Sequence, residues 1–97
     1  MAEIDYFFNI LINKNGSDLH LEEGQKPKIR VNGQINEIDP QTLTRQNMIN
    51  MISNVLPRQD WEEFIKTGDM DFAYAYNNIA RFRGNLYKHV NGLGAIF

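Results

Sequence analysis

The dipeptide Asn32-Gly33, set between Ile29-Arg30-Val31 and Gln34-Ile35-Asn36-Glu37-Ile38, constrains this chain more than any other feature. A two-residue type I′ turn needs positive φ at both central positions, and Asn-Gly accepts that at little cost. The flanking segments alternate, so the dipeptide predicts a β-hairpin. Ile29, Val31 and Ile35 are expected on one face of it, with Arg30 pointing the other way. Antiparallel pairing of this kind excludes an all-helical bundle and makes a sheet the frame for the remaining segments.

Those segments divide cleanly by period. Ile4, Phe7, Phe8, Leu11 and Ile12 fall at helical spacing, with Lys14 and then Asn15-Gly16 as a stop signal. Asp18-Leu19-His20-Leu21 alternates with a period of two and predicts a strand with one covered face. Asp39-Pro40 closes the hairpin region. Met48, Ile49, Met51, Ile52, Val55 and Leu56 form a helical stripe, and Pro57 ends that helix or opens the next one. The second of these helices is expected to turn Trp61, Phe64 and Ile65 inward and to close at Gly68, with Asp60, Glu62 and Glu63 near its positive end. Met70, Phe72, Tyr74 and Tyr76 then alternate with small and acidic residues; Asn77-Asn78 predicts a turn, Ile79 to Val90 a returning strand, and Asn91-Gly92 another hairpin. Leu93 to Phe97 reads as one more strand, expected to be an edge in want of a continuation, so the chain is expected to be one piece of a longer protein. The order α-β-β-β-α-α-β-β-β gives an α+β fold, an antiparallel sheet with helices packed on it.

Composition narrows the function classes. With 97 residues the chain is one domain. Ten basic residues against 12 acidic ones leave a net charge of −2, which disfavours a nucleic-acid-coating module. The absence of cysteine excludes disulfides and thiolate zinc sites, and only His20 and His89 offer imidazoles, so no metal site is expected. The acidic start, Met1-Ala2-Glu3-Ile4-Asp5, lacks the basic residues of a secretory signal, and no apolar run approaches the ~20 residues a spanning helix needs. None of the seven glycines begins a Gly-Lys-Ser/Thr sequence, so the chain carries no phosphate-binding P-loop and is expected not to catalyse alone.

Chemistry concentrates in Ala80-Arg81-Phe82-Arg83-Gly84-Asn85-Leu86. On a strand Arg81, Arg83 and Asn85 share one face, with ~6.8 Å between the arginine backbones. Two like charges at that distance repel by roughly 0.6 kcal/mol in water and ~2.4 kcal/mol at an effective dielectric of 20, so partial burial calls for an anion. Guanidinium forks suit phosphate and carboxylate alike. Periodicity by itself favours the plainer arrangement, in which Asp69 or Asp71 supplies a cross-strand partner. Asp18 and His20 also share a face: an acid–imidazole couple is one reading, a polar strand face or a turn cap at Asp18 the other and simpler one. Arg30 reads as an exposed strand residue. Trp61, Phe64 and the row Phe72, Tyr74, Tyr76 could form a flat-ligand pocket or a stacking platform, but their spacing reads better as core, as does that of Met48 and Met51.

Taken in order, Gly16-Ser17-Asp18-Leu19-His20-Leu21, Gly24-Gln25-Lys26-Pro27-Lys28-Ile29-Arg30-Val31-Asn32-Gly33, Asp71-Phe72, Ala80-Arg81-Phe82-Arg83-Gly84-Asn85 and Gly94-Ala95-Ile96-Phe97 closely resemble the N-terminal domain of PilT-type twitching-motility ATPases, the motors that retract type IV pili. The resemblance runs from the first helix to the last residue. It implies a PAS-like domain over residues 1–97, followed in the parent by a RecA-like domain with Walker motifs that binds ATP and Mg²⁺. It implies a homohexamer in which the N-terminal domain packs on RecA-like domains of its own and the neighbouring subunit, at the cytoplasmic side of the pilus inner-membrane platform. In related secretion ATPases, arginines of this domain approach the nucleotide phosphates. Arg81 and Arg83 lie on the matching motif, and the resemblance thereby favours an anion-facing role for at least one of them. Asp18, His20, Arg30 and Asn85 are further candidates for the same interface. No cofactor is expected on this domain itself.

Two departures stand out. Gly84 takes the place of a common Val, and Lys88-His89 that of a Gln-Arg pair. Leu21-Glu22-Glu23-Gly24 lacks the Glu-Pro of secretion and assembly cousins, which favours the retraction branch over those relatives. The rival readings are a PAS-like sensor with a ligand pocket behind the sheet and, against the charge balance, a nucleic-acid-binding module with salt-dependent affinity.

Overall fold

The computed structural model describes residues 3–76, 80–90 and 92–97. The turn expected at Asn77-Asn78, the strand start at Ile79 and Asn91 of the last hairpin lie outside the described residues. The elements run α1 (Glu3–Asn13), β1 (Asp18–Glu22), β2 (Lys28–Val31), β3 (Gln34–Glu37), α2 (Arg45–Val55), α3 (Arg58–Thr67), β4 (Asp69–Tyr76), β5 (Ala80–His89) and β6 (Gly92–Ile96), in the order the sequence predicts. The six strands form one antiparallel sheet ordered β3-β2-β1-β6-β5-β4.

Local chemistry fixes the ends of the elements. Asn15 takes a left-handed φ of 54° after α1, and the Gly16 amide donates to the Leu11 carbonyl at 2.9 Å. Gly68 ends α3 at φ 82°, its amide donating to the Phe64 carbonyl. At the start of α2, the Asn47 amide donates to Thr44 Oγ1 while Asn47 Oδ1 accepts from the Thr44 amide, a reciprocal capping box. Asn32 and Gly33 hold φ values of 51° and 78°, as a type I′ turn requires.

That same turn corrects the predicted face of Ile35. A two-residue loop pairs Val31 with Gln34, so Ile35 stands opposite Arg30 and Asn36 opposite Ile29. Directly opposed residues share a face. Ile35 therefore leaves the side of Ile29 and is 44% exposed, and β3 is exposed along its whole length.

The helices cover one face of the sheet. Leu19, Leu21, Ile29, Leu86, Leu93, Ala95 and Phe97 point into the core beneath them, with Ile4, Phe7, Phe8 and Leu11 of α1 and Met48, Met51, Ile52 and Val55 of α2 above. Phe8 is the hub: its ring stacks on Phe82 at 4.3 Å and meets Tyr74, Tyr76 and Phe97 within 5.6 Å. The aromatic row of β4 is thus ordinary core, closed from above by a side chain of α1, and the space that a sensor's ligand would need behind these strands is taken by Phe8.

α3 buries Phe64 and leaves Ile65 45% exposed, against the inward placement expected for it. Lys88 lies over that end of the helix, its Nζ 6.0 Å from the Phe64 ring centroid and donating to the Ile65 carbonyl at 2.8 Å, so the apolar stripe of α3 is narrower than its sequence suggests. The expectation that the last strand is an unfinished edge is also corrected. β6 is central, paired to β1 on one side and β5 on the other, and Leu19 and Phe97 exchange both backbone hydrogen bonds at 2.9 Å.

Candidate functional site on the open sheet face

Among the described residues no helix covers the second face of the sheet, and the interface candidates Arg81, Arg83, Asp18, His20, Arg30 and Asn85 all lie on it. The register builds cross-strand rows. Glu37, Lys28, His20, Ile96, Asn85 and Asp71 form one row across all six strands. Ile35, Arg30 and Asp18 form part of the next, and Glu22, Gly94, Tyr87 and Asp69 another.

In the β3-β2-β1 half of this face the arginine has a carboxylate partner. Arg30 Nε lies 3.4 Å from Asp18 Oδ2, and Ser17 Oγ donates to the same oxygen at 2.9 Å. Asp18 is therefore engaged by Arg30 and Ser17, and it makes no hydrogen bond to His20. Two residues along a strand separates them by ~6.8 Å of backbone, while Arg30 stands directly opposite Asp18. The His20 Nε2 is buried without a hydrogen-bond partner among the described residues, between the opposed positions of Lys28 and Ile96.

The β5-β4 half is different. Arg81 and Arg83 are exposed, stand opposite Ala75 and Ala73, and make no ion pair or hydrogen bond among the described residues. Asp71 lies only one diagonal step from Arg83, within an arginine's reach. Its carboxylate is engaged elsewhere: Asn85 Nδ2 donates to Asp71 Oδ1 at 2.9 Å and to Asp69 Oδ1 at 3.0 Å. A shallow depression of about 450 Å³ opens beside the arginines, lined by Asp71, Phe72, Ala73, Arg81, Phe82 and Arg83.

Between the two halves runs a bridge that the sequence reading missed. Tyr87 of β5 reaches across β6 and donates its hydroxyl to Glu22 Oε1 of β1 at 2.8 Å. It can do so because the position it crosses is Gly94, where a Cβ would collide with the Tyr87 ring. Burial, then the hydrogen bond to Glu22, then the Glu22 charge push the Tyr87 hydroxyl up to about 12. On the covered face Gly84 has a parallel role: a Cβ there would stand 2.5 Å from Phe72 Cζ, whose ring lies on the glycine directly opposite it. Each pair joins adjacent strands, and the only sequence signal is an aromatic and a glycine whose register neither strand shows by itself.

Among the described residues no group of three or more His, Asp or Glu side chains comes together as a metal site, and no helix is long and apolar enough to cross a membrane.

No family model matches the chain. The type IV pilus retraction ATPase PilT of Pseudomonas aeruginosa is 36% identical over 87 residues, which is 87% of this chain and 24% of that protein. The chain thus spans about a quarter of the length of the curated relatives it matches. A crystal structure of the pilus retraction motor PilT with bound ADP superposes at a TM-score of 0.85 and 23% identity, over 99% of this chain and 28% of that one. The Legionella pneumophila ATPase DotB superposes at 0.82 and 17% identity, over 96% of this chain and 27% of its own. At such identities the two structures share the fold.

Proposed function

We propose, from the premise that this chain is an N-terminal domain of the PilT type, that residues 1–97 form the docking and regulatory domain of a hexameric type IV pilus retraction ATPase. The observation that carries the reading is the exposed arginine pair on the open face of the sheet, which has no ion-pair partner among the described residues. Arg30 on the β3-β2-β1 half of that face is paired with Asp18, whereas Arg81 and Arg83 make no ion pair among the described residues, and two neighbouring guanidinium groups suit an anion brought by another segment. In the parent, ATP and Mg²⁺ would sit on a RecA-like domain beyond this chain, which has no Gly-Lys-Ser/Thr of its own. This domain would pack on RecA-like domains of its own and the neighbouring subunit, on the cytoplasmic side of the pilus platform. It would move as a rigid body and bring Arg81 or Arg83 toward the phosphates as the subunit interface closes.

The test is ATP turnover of the full-length protein with Arg81→Ala and Arg83→Ala. An arginine delivered to a phosphate is worth ~10³–10⁵ in rate in other nucleotide hydrolases, so a loss of about 10³-fold is expected at the arginine that reaches it. Unchanged turnover in both variants would falsify the arginine role and leave the domain a docking module alone.

A further inference from the structure

We infer that Asn85 is a positioning residue that keeps the arginine pair available by holding Asp71, the diagonal neighbour of Arg83, together with Asp69, away from it; this rests on the arginine role proposed above. Asp69, Asp71, Arg81, Arg83 and Asn85 all project from the open face of the two adjacent strands β4 and β5. Left to electrostatics, Asp71 and Arg83 would pair across the diagonal, as opposite charges on a sheet face commonly do. They do not. Asn85, directly opposite Asp71, donates to Asp71 Oδ1 at 2.9 Å and to Asp69 Oδ1 at 3.0 Å.

The chemistry fits asparagine and few other side chains. The amide nitrogen has two hydrogens, one for each carboxylate, and acceptors on both sides fix the amide with its nitrogen toward them. A neutral donor hydrogen-bonds two anions without adding a positive charge, and it leaves the arginines' own N–H donors free. A cation at position 85 would also hold the acids but would add a positive charge that repels the neighbouring arginines; an apolar residue would release Asp71 to Arg83, one diagonal step away. With the carboxylates occupied, Arg81 and Arg83 present their forks to solvent and to whatever anion arrives. Asn85 acts on that anion through the arginines and does not itself touch it.

The experiment compares ATP turnover of full-length variants. Asn85→Leu, a substitution a half-buried strand position tolerates, is expected to lower turnover by about tenfold, the scale of one charge-assisted hydrogen bond withdrawn from the anion. Adding Asp69→Asn and Asp71→Asn to Asn85→Leu is expected to restore it, because the competing charges are then gone. A purely structural role for Asn85 ties turnover to stability, so a loss without rescue, or a loss and rescue that merely follow the stability of the variants in urea unfolding, overturns the inference. So does unchanged turnover in Asn85→Leu when Arg83→Ala is impaired, an outcome that leaves the arginine role standing. If neither arginine variant is impaired, the arginine role fails and takes this inference with it.

Discussion

At the scale of single residues, the two glycines facing aromatics decide more than the charged groups around them. Gly94 is the place where Tyr87 crosses from β5 to β1, and a methyl group there would occupy the ring's own position. Overpacking of this kind costs about 1–3 kcal/mol, and the Tyr87–Glu22 hydrogen bond would be strained or lost with it. Gly94→Ala is therefore expected to lower stability in urea unfolding by that amount. In a Tyr87→Ala background the same substitution should cost nearly nothing, because the ring it collides with is absent; a penalty that persists there would place the cause in the backbone of β6. Gly84 shows the same physics on the other face. A glycine weakens a strand when nothing fills its place, but here Phe72 of the neighbouring strand lies on it, which accounts for the departure from valine at this position.

Elements were legible in the sequence where their signal is local. Each helix and strand carries its own period, and the turn chemistry of Asn15, Asn32-Gly33 and Gly68 marks where they stop. Register and adjacency were not, because they depend on residues far apart. Ile35 looked like a partner of Ile29 by alternation alone, and only the two-residue turn reveals that Arg30 is its neighbour. The last strand looked like an edge, yet β6 inserts between β1 and β5, a pairing with β1 that spans most of the chain. The candidate site follows the same division. That Arg81, Arg83 and Asn85 share a face is a property of one strand; that Asn85 and not Arg83 holds Asp71 is a property of two. Helix α2 offers a test at this scale. Its capping box joins Thr44 and Asn47, and the helix carries buried Met48, Met51, Ile52 and Val55. Thr44→Ala is expected to cost about 1 kcal/mol. The loss should appear as faster amide exchange in the first turn of α2, with the protection of β1 and β6 lowered only by the global amount.

Across the whole molecule, the strand order sets the first hairpin and β1 against the last three strands, with β6 as the seam. The Tyr87–Glu22 bond is a side-chain tie across that seam on the open face, so ionising Tyr87 should be felt as a loss of global stability. The sign follows from linkage. The Tyr87 hydroxyl rises from its ordinary 10.0 to about 12 in the folded protein, so the native state holds this proton more tightly than the unfolded chain does. Its contribution is fully present below pH 10 and is lost as pH climbs through about 12. Tyr74 shifts the same way, through burial and then the Asp5 carboxylate, and contributes equally in any variant that retains it. The stability difference between the wild-type chain and Tyr87→Phe, measured by urea unfolding, should therefore be constant up to about pH 10 and shrink steadily toward pH 12. A difference that stays level across that interval would mean the hydroxyl ionises alike in both states, and that the two halves of the sheet are held together by backbone pairing and the shared core alone.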